Sequence, residues 1–176
     1  MAVQTLLGPV IQNAWVVDDL DAAARHWAEK LGVGPFFVFD SVEFDHVHFR
    51  GEPSPMRMSM ALGYWGDLQI ELIRPLNDAP SIFSEFRDRG HSGLQHVGVL
   101  SHDLEADLAR LAARGVQPVQ AGRAANGTAF AYVDTDFHPG GMVEIIEVSP
   151  ALEKGFAMIR GAARDWDGRD PVRRFG

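Results

Sequence analysis

Cysteine is absent from the 176-residue chain, which excludes disulfides and thiolate metal ligands. A long apolar run is also missing. No stretch approaches the roughly 18 residues that a membrane-spanning helix needs. The first residues show no basic region followed by an apolar one, so no secretory signal is expected and the cytoplasm is the expected compartment. Positive charge is scarce: 16 Lys and Arg stand against 24 Asp and Glu, a formal net charge of −8. Nucleic-acid binding depends on basic side chains that neutralise phosphates, so neither a nucleic acid nor a membrane is an expected partner. What remains is 46% hydrophobic and 23% charged, the composition of a soluble globular protein of one domain or two small ones.

The chain repeats itself. Ile11 to Val33 reads as a short strand, an Asp-Leu helix start, an amphipathic helix and a Gly-Val stop, and Leu94 to Val116 reads the same way. Setting His96 on Gln12 (96 − 12 = 84) places Asp103 on Asp19, Leu104 on Leu20 and Ala106 on Ala22. The two Gly-Val stops, at Gly32 and Gly115, fall within one residue of the same register. A self-match at long period points to one structural module written twice.

In the first copy, Val10 to Val17 alternates two faces, with Gln12, Ala14 and Val16 on one of them. Asp18 or Asp19 caps a helix whose apolar stripe is Leu20, Ala23, Ala24, Trp27 and Leu31. Strand patterns follow in three runs: Phe36–Phe49 (Phe36–Phe39 and Val42–Phe49, a run broken only at Gly51), Met56–Leu62 and Leu68–Ile73. In the last of these, Leu68, Ile70 and Leu72 oppose Gln69 and Glu71. The first module is therefore β-α-β-β-β over about 8–75, and a linker with a short helix covers 76–93. The second module covers 94–148 and ends in the strand Met142–Val148. A tail, 149–176, begins with an amphipathic stretch (Leu152, Phe156, Ile159) and has no counterpart in the first copy. The expected fold class is α+β.

The chemistry sits at four strand positions. Gln12 and His96 are equivalent on the first strand of each copy, and Glu71 and Glu144 lie on the last. Glu144 shares its face with Met142 and Ile146, and a carboxylate among apolar neighbours needs a cation or donor to compensate it. One imidazole, one amide oxygen and two carboxylates make a four-ligand set for a divalent metal such as Zn, Ni, Co, Mn or Fe, with room for a substrate.

These residues, with Asp-Leu-x-x-Ala after a strand, Ile-Glu-Leu-Ile-x-Pro, Leu-x-His-Val-Gly-Val and Gly-Gly-Met-Val-Glu-Ile-Ile-Glu, resemble the vicinal-oxygen-chelate superfamily. That superfamily holds glyoxalase I, methylmalonyl-CoA epimerase, extradiol dioxygenases and bleomycin-resistance proteins. The resemblance covers roughly 8–148 and implies two tandem βαβββ modules whose mixed sheets form a cup around a metal held by Gln12, Glu71, His96 and Glu144. The Gln/Glu/His/Glu set is similar to that of glyoxalase I. The linker from Arg74 and the Leu94-Gln95-His96 start look closer to the epimerase. Two departures weigh against a strict two-base epimerase: Gln12 stands where that pattern has His, and the strand Met56-Arg57-Met58-Ser59-Met60 carries no acid.

The expected activity is metal-dependent proton transfer α to a carbonyl of an oxygenated small molecule, as in an isomerase, epimerase or lyase, with Glu144 as base and Glu71 as its partner. Phe36, Phe37, Phe39, Met58 and Met60 suggest a packed core or, alternatively, an apolar substrate pocket, and His138 is a candidate for the pocket mouth. Two alternatives stand beside this. A cup of the same fold can sequester a drug or ligand without chemistry. A ring-cleaving dioxygenase would need a two-His, one-carboxylate iron site, and so a further histidine from His46, His48 or His138. The tail is a candidate for covering the pocket or mediating a homodimer, and its Trp166, Arg169, Arg173 and Arg174 for meeting an acidic group.

Overall fold

Local chemistry starts and stops each element. Strand β1 (Val10–Val16) leads into helix α1 (Leu20–Leu31), whose first turn is capped by Asp19 accepting a hydrogen bond from the Ala22 N–H at 3.0 Å. Gly32 ends the helix in the left-handed conformation (φ 65°) that a side chain would resist. Strand β2 (Phe36–Phe39) follows, then the hairpin β3 (Phe44–Phe49) and β4 (Glu52–Pro53), then β5 (Met58–Trp65) and β6 (Leu68–Pro75). Helix α2 (Ile82–Asp88) is capped by Ser81 and leads to β7 (Gly93–Ser101), α3 (Leu104–Ala112), β8 (Pro118–Ala124), β9 (Ala129–Asp134) and β10 (Met142–Glu147). Helix α4 (Pro150–Ala163) and strand β11 (Val172–Arg174) complete the computed structural model, which describes residues 5–135 and 141–174.

The described strands form one mixed sheet in the order β11-β2-β5-β6-β1-β7-β10-β9-β8-β3-β4. Two equivalent four-stranded units, β2-β5-β6-β1 and β7-β10-β9-β8, meet at the antiparallel pair β1–β7. Its register carries the repeat. Gln12 faces Gly98 and Ala14 faces His96, and an offset of 84 turns one pair into the other. Glu71 stands opposite Ala14 and Glu144 opposite Gly98, the same relation in each half.

Helix α1 covers the outer face of the first half with Leu20 and Ala24 against Ile70, Leu72 and Phe36, and α3 covers the second with Leu104 and Leu111 against Val99, Ala131 and Ile145. Leu31, read as part of the α1 stripe, is instead 53% exposed at the helix end. The inner face bends. Residues of strands as far apart in the order as β2 and β8 line one cavity, which strands 4.7–4.9 Å apart in a flat sheet could not do. The sheet is thus an open cup, with Ala14, Val16, Ile73, Phe83, Phe130 and Tyr132 packed within it.

Two long-range features shape its rim. Strand β3 leaves its own half and pairs with β8 of the other, His48 facing Ala121. The tail returns to the first half: α4 lays Ile159 on Phe37, Leu62 and Tyr64, and β11 adds a parallel edge strand to β2. No described helix is long and apolar enough to cross a membrane.

Candidate metal centre

The central strands bring Glu71 from β6, His96 from β7 and Glu144 from β10 to one point on the cup floor. One ligand atom from each lies within 4.8 Å of the others, and all three residues are buried. The Nε2 of His96 is 3.5 Å from Glu71 Oε2 and 3.4 Å from Glu144 Oε2. These separations allow charge attraction but are too long for good N–H···O hydrogen bonds. Accordingly His96 Nε2 and Glu71 Oε2 are buried without a hydrogen-bond partner, and so is Gln12 Oε1. Buried polar atoms are normally satisfied. Three orphaned acceptors on one floor, each a competent ligand atom, fit a divalent cation.

The surroundings hold these atoms in place. His96 Nδ1 is 2.6 Å from Gln95 Oε1, and Gln95 Nε2 donates to Met142 Sδ at 3.3 Å. With its amide so oriented, Gln95 Oε1 accepts a hydrogen bond from Nδ1–H, which leaves Nε2 of the neutral ring with its lone pair toward the site. Gln12 is oriented from the other side. Its Nε2 donates to Gln69 Oε1 at 2.7 Å, and Gln69 Nε2 donates to Tyr64 Oη at 3.0 Å. The amide therefore turns its oxygen inward, over Gly98. A Cβ at Gly98 would stand 2.4 Å from that oxygen, so the close approach of β1 and β7 requires glycine there. Behind the imidazole, Tyr132 and Phe83 pack edge-on or tilted at ring-centroid distances of 5.0 and 6.4 Å.

The charges perturb one another. Burial disfavours protonation of His96, but the adjacent carboxylates of Glu144 and Glu71 outweigh it and push its pKa up to about 9. Burial raises the pKa of Glu71, aided by the Glu144 charge and opposed by His96. Burial and the two carboxylates raise that of Tyr132 well above the usual phenol value, so it stays neutral. A proton on His96 would balance the two carboxylates, and a divalent cation held there would replace that proton and take the Nε2 lone pair.

The floor opens into a cavity of about 340 Å³. Met58 and Met60 line it, as do Phe39, Phe44, Phe130 and Phe156. Phe37, expected in the pocket, packs instead beneath α4, because the tail helix covers that end of the inner face. Phe36 lies on the outer face in the α1 core. His138 lies outside the described residues. His46 and His48 do share a face, with rings 5.8 Å apart, but that face is exposed and away from the floor. Gln69, Tyr64, Gln95 and Gly98 escaped the sequence reading. Their roles depend on side-chain contacts across strands, although the polar residues of β6 alternating with Ile70 and Leu72 hinted at an inward row. Arg174 pairs with Asp21 and Asp40 at the sheet edge rather than facing the cup.

Comparison with known proteins decides the family. The model of the glyoxalase/bleomycin resistance protein/dioxygenase superfamily matches residues 11–132. The chain belongs to this superfamily. Among solved structures, this superfamily member is similar to methylmalonyl-CoA epimerase from Mycobacterium tuberculosis (TM-score 0.60, 23% identity, covering 88% of this chain and 97% of that one). It is also similar to a hypothetical protein from Bacillus halodurans (TM-score 0.60, 17% identity, 80% and 94% covered). A third is Streptomyces coelicolor methylmalonyl-CoA epimerase in complex with 2-nitronate-propionyl-CoA (TM-score 0.55, 19% identity, 82% and 96% covered). At these identities the likeness is one of fold. No curated protein sequence matches the chain.

Proposed function

We propose that this superfamily member is a divalent-metal-dependent enzyme that moves a proton at the carbon beside a carbonyl of an oxygenated small molecule, as an isomerase, epimerase or lyase. One observation carries the reading: Glu71 Oε2 and His96 Nε2 converge with Glu144 at the base of an apolar cavity, the first two atoms without partners. The orphaned Gln12 Oε1 completes the donor set. When bound, a divalent cation supplies Lewis-acid polarisation of a carbonyl, which acidifies the neighbouring C–H.

The chain supplies the rest. Glu144 reaches the floor from β10 and serves as the base. Glu71 approaches from the other side of His96, where it is placed to take the partner role of holding and returning a proton. Strand β5 offers Met58, Ser59 and Met60 at the place where a second acid is expected, so the partner role falls to Glu71. The apolar walls exclude water and strengthen each charge interaction. The epimerases among the structural neighbours support this reaction class. The site draws on β1 and β6 as well as β7 and β10, so segments 8–75 and 94–148 act as one unit.

The test is metal binding followed by exchange. Protein stripped by chelator should bind Zn, Co, Ni or Mn and melt higher for it. The loaded protein should then exchange solvent deuterium into the α position of a turned-over thioester or α-oxygenated carbonyl compound, with methylmalonyl-CoA in the panel. Glu144→Gln should abolish that exchange. Failure to bind any divalent metal would sink the enzyme reading. One observation would then favour a ligand-sequestering cup: His96 Nε2 lies 3.5 Å from Glu71 and 3.4 Å from Glu144, so a protonated imidazole there can offset both carboxylates without a cation. A ring-cleaving site has less support, because among the described residues His96 is the one histidine on the floor.

A further inference from the structure

The cup is lined by apolar side chains, and its charged lining residues are all acidic. Its volume of about 340 Å³ falls in the range of cavities that hold drug-sized ligands. Its walls are Phe39, Phe44, Met58, Met60 and Phe130, closed on the tail side by Phe156. Among the described lining residues the charged ones are Glu43, Glu71 and Glu144, and none is cationic. Glu71 and Glu144 belong to the floor, where a divalent metal would balance them. Glu43 stands on an exposed rim, accepting from Ser41 at 3.1 Å. Lys154 of the tail helix lines an adjoining groove, which shares Phe39, Met60 and Phe156 with the cup, and is not among the residues that line the cup itself.

From this juxtaposition we infer that the substrate carries an extended apolar body, aromatic or branched, behind its metal-binding oxygens, and has no second anionic group within the cup. A remote carboxylate would lose its hydration among aromatic and thioether groups with no partner for its charge, and would meet Glu43 at the rim. An apolar body gains instead, because each wall residue removes its surface from water. Helix α4 is the specificity element: Leu152 and Phe156 form the wall that the repeated modules do not supply. The inference rests on the metal-centre reading for where the oxygens sit, but the character of the walls can be tested apart from it.

Zinc-loaded protein is titrated with hydroxamic acids sharing one chelating head: acetohydroxamic acid, 4-phenylbenzohydroxamic acid and the carboxylate-terminated succinic monohydroxamic acid. The biphenyl compound should bind about 10- to 100-fold tighter than acetohydroxamic acid, the gain expected from burying an aromatic side-chain equivalent. The carboxylate-terminated compound should bind no tighter than acetohydroxamic acid. Phe156→Lys, at a half-buried helix position, should reverse the order by weakening the biphenyl compound and strengthening the acid. In metal-free protein, the neutral fluorophore N-phenyl-1-naphthylamine should light up in the cup. Naphthalene should displace it and 1-naphthoate should not. Tighter binding of the carboxylate-terminated probe than of acetohydroxamic acid, or no gain from the biphenyl group, would overturn the inference while leaving the metal centre intact. No zinc binding, with the fluorophore competition as expected, would instead overturn the metal reading and leave the apolar specificity standing.

Discussion

Replacing Gly98 with alanine is the smallest change that tests the cup floor. The added methyl carbon would lie 2.4 Å from Gln12 Oε1 and 3.0 Å from its Cβ, where ordinary contact begins at 3.4 Å. Gln12 and Gly98 are register partners in the β1–β7 ladder, so the strands cannot separate without breaking their pairing. The glutamine side chain must rotate to clear its oxygen, abandoning its 2.7 Å bond to Gln69, while its Cβ needs the strands to give by only a few tenths of an ångström. Losing that buried bond costs about 1 kcal/mol of stability. Withdrawing the oxygen by about 1 Å or more should weaken metal binding about 10- to 100-fold, or about 1.4 to 2.7 kcal/mol. Chelator competition with zinc would be measured on wild type, Gly98→Ala, Gln12→Ala and the double variant, with melting curves confirming that each folds. If alanine acts through the Gln12 oxygen, the double variant binds zinc no more weakly than Gln12→Ala alone. The reasoning is refuted if Gly98→Ala binds like wild type, or if its penalty persists in full when Gln12 is already gone.

Other outcomes follow from the same geometry. In the metal-free protein the folded pKa of His96, about 9, lies above its ordinary 6.5. Its stabilising effect is therefore fully present below pH 6.5 and lost as pH rises through about 9, up to about 3 kcal/mol. Glu71, also raised, acts in the same direction. Urea titrations of apoprotein from pH 6 to 10 should show the decline, and a flat profile would contradict it. Metal must displace that proton, so zinc affinity should rise with pH across the same window, with protons released on binding in calorimetry. Phe83→Ala removes a ring that is 1% exposed and packed against His96 and Tyr132. It should cost about 3 to 5 kcal/mol in denaturant unfolding. Arg174→Ala breaks exposed ion pairs to Asp21 and Asp40 and should cost less than about 1 kcal/mol, with no change in zinc affinity.

Much of the architecture was legible in the chain because it rests on periodicity. Period two in Val10–Val16 and Leu68–Pro75 sets Gln12 on one face with Ala14 and Val16 and puts Gln69 and Glu71 together on another, and the self-match at 84 residues pairs Gln12 with His96. The cap at Asp19 and the stop at Gly32 are likewise local, each set by one side chain or one φ angle. The symmetry of the β1–β7 register is the same repeat expressed in space.

The rest depended on partners distant in sequence. Strand β3 is recognisable as a strand, but nothing in its alternation says that it pairs with β8 rather than within its own half. The tail reads as an amphipathic helix, yet its place over Phe37 and its role as a cup wall depend on which face of the sheet was left uncovered. The amide chain from Tyr64 through Gln69 to Gln12 joins three strands. A sequence determines alternation and caps through neighbours a few residues apart. Which buried polar atoms find partners, and which three are left facing one another, is decided when distant strands close the cup.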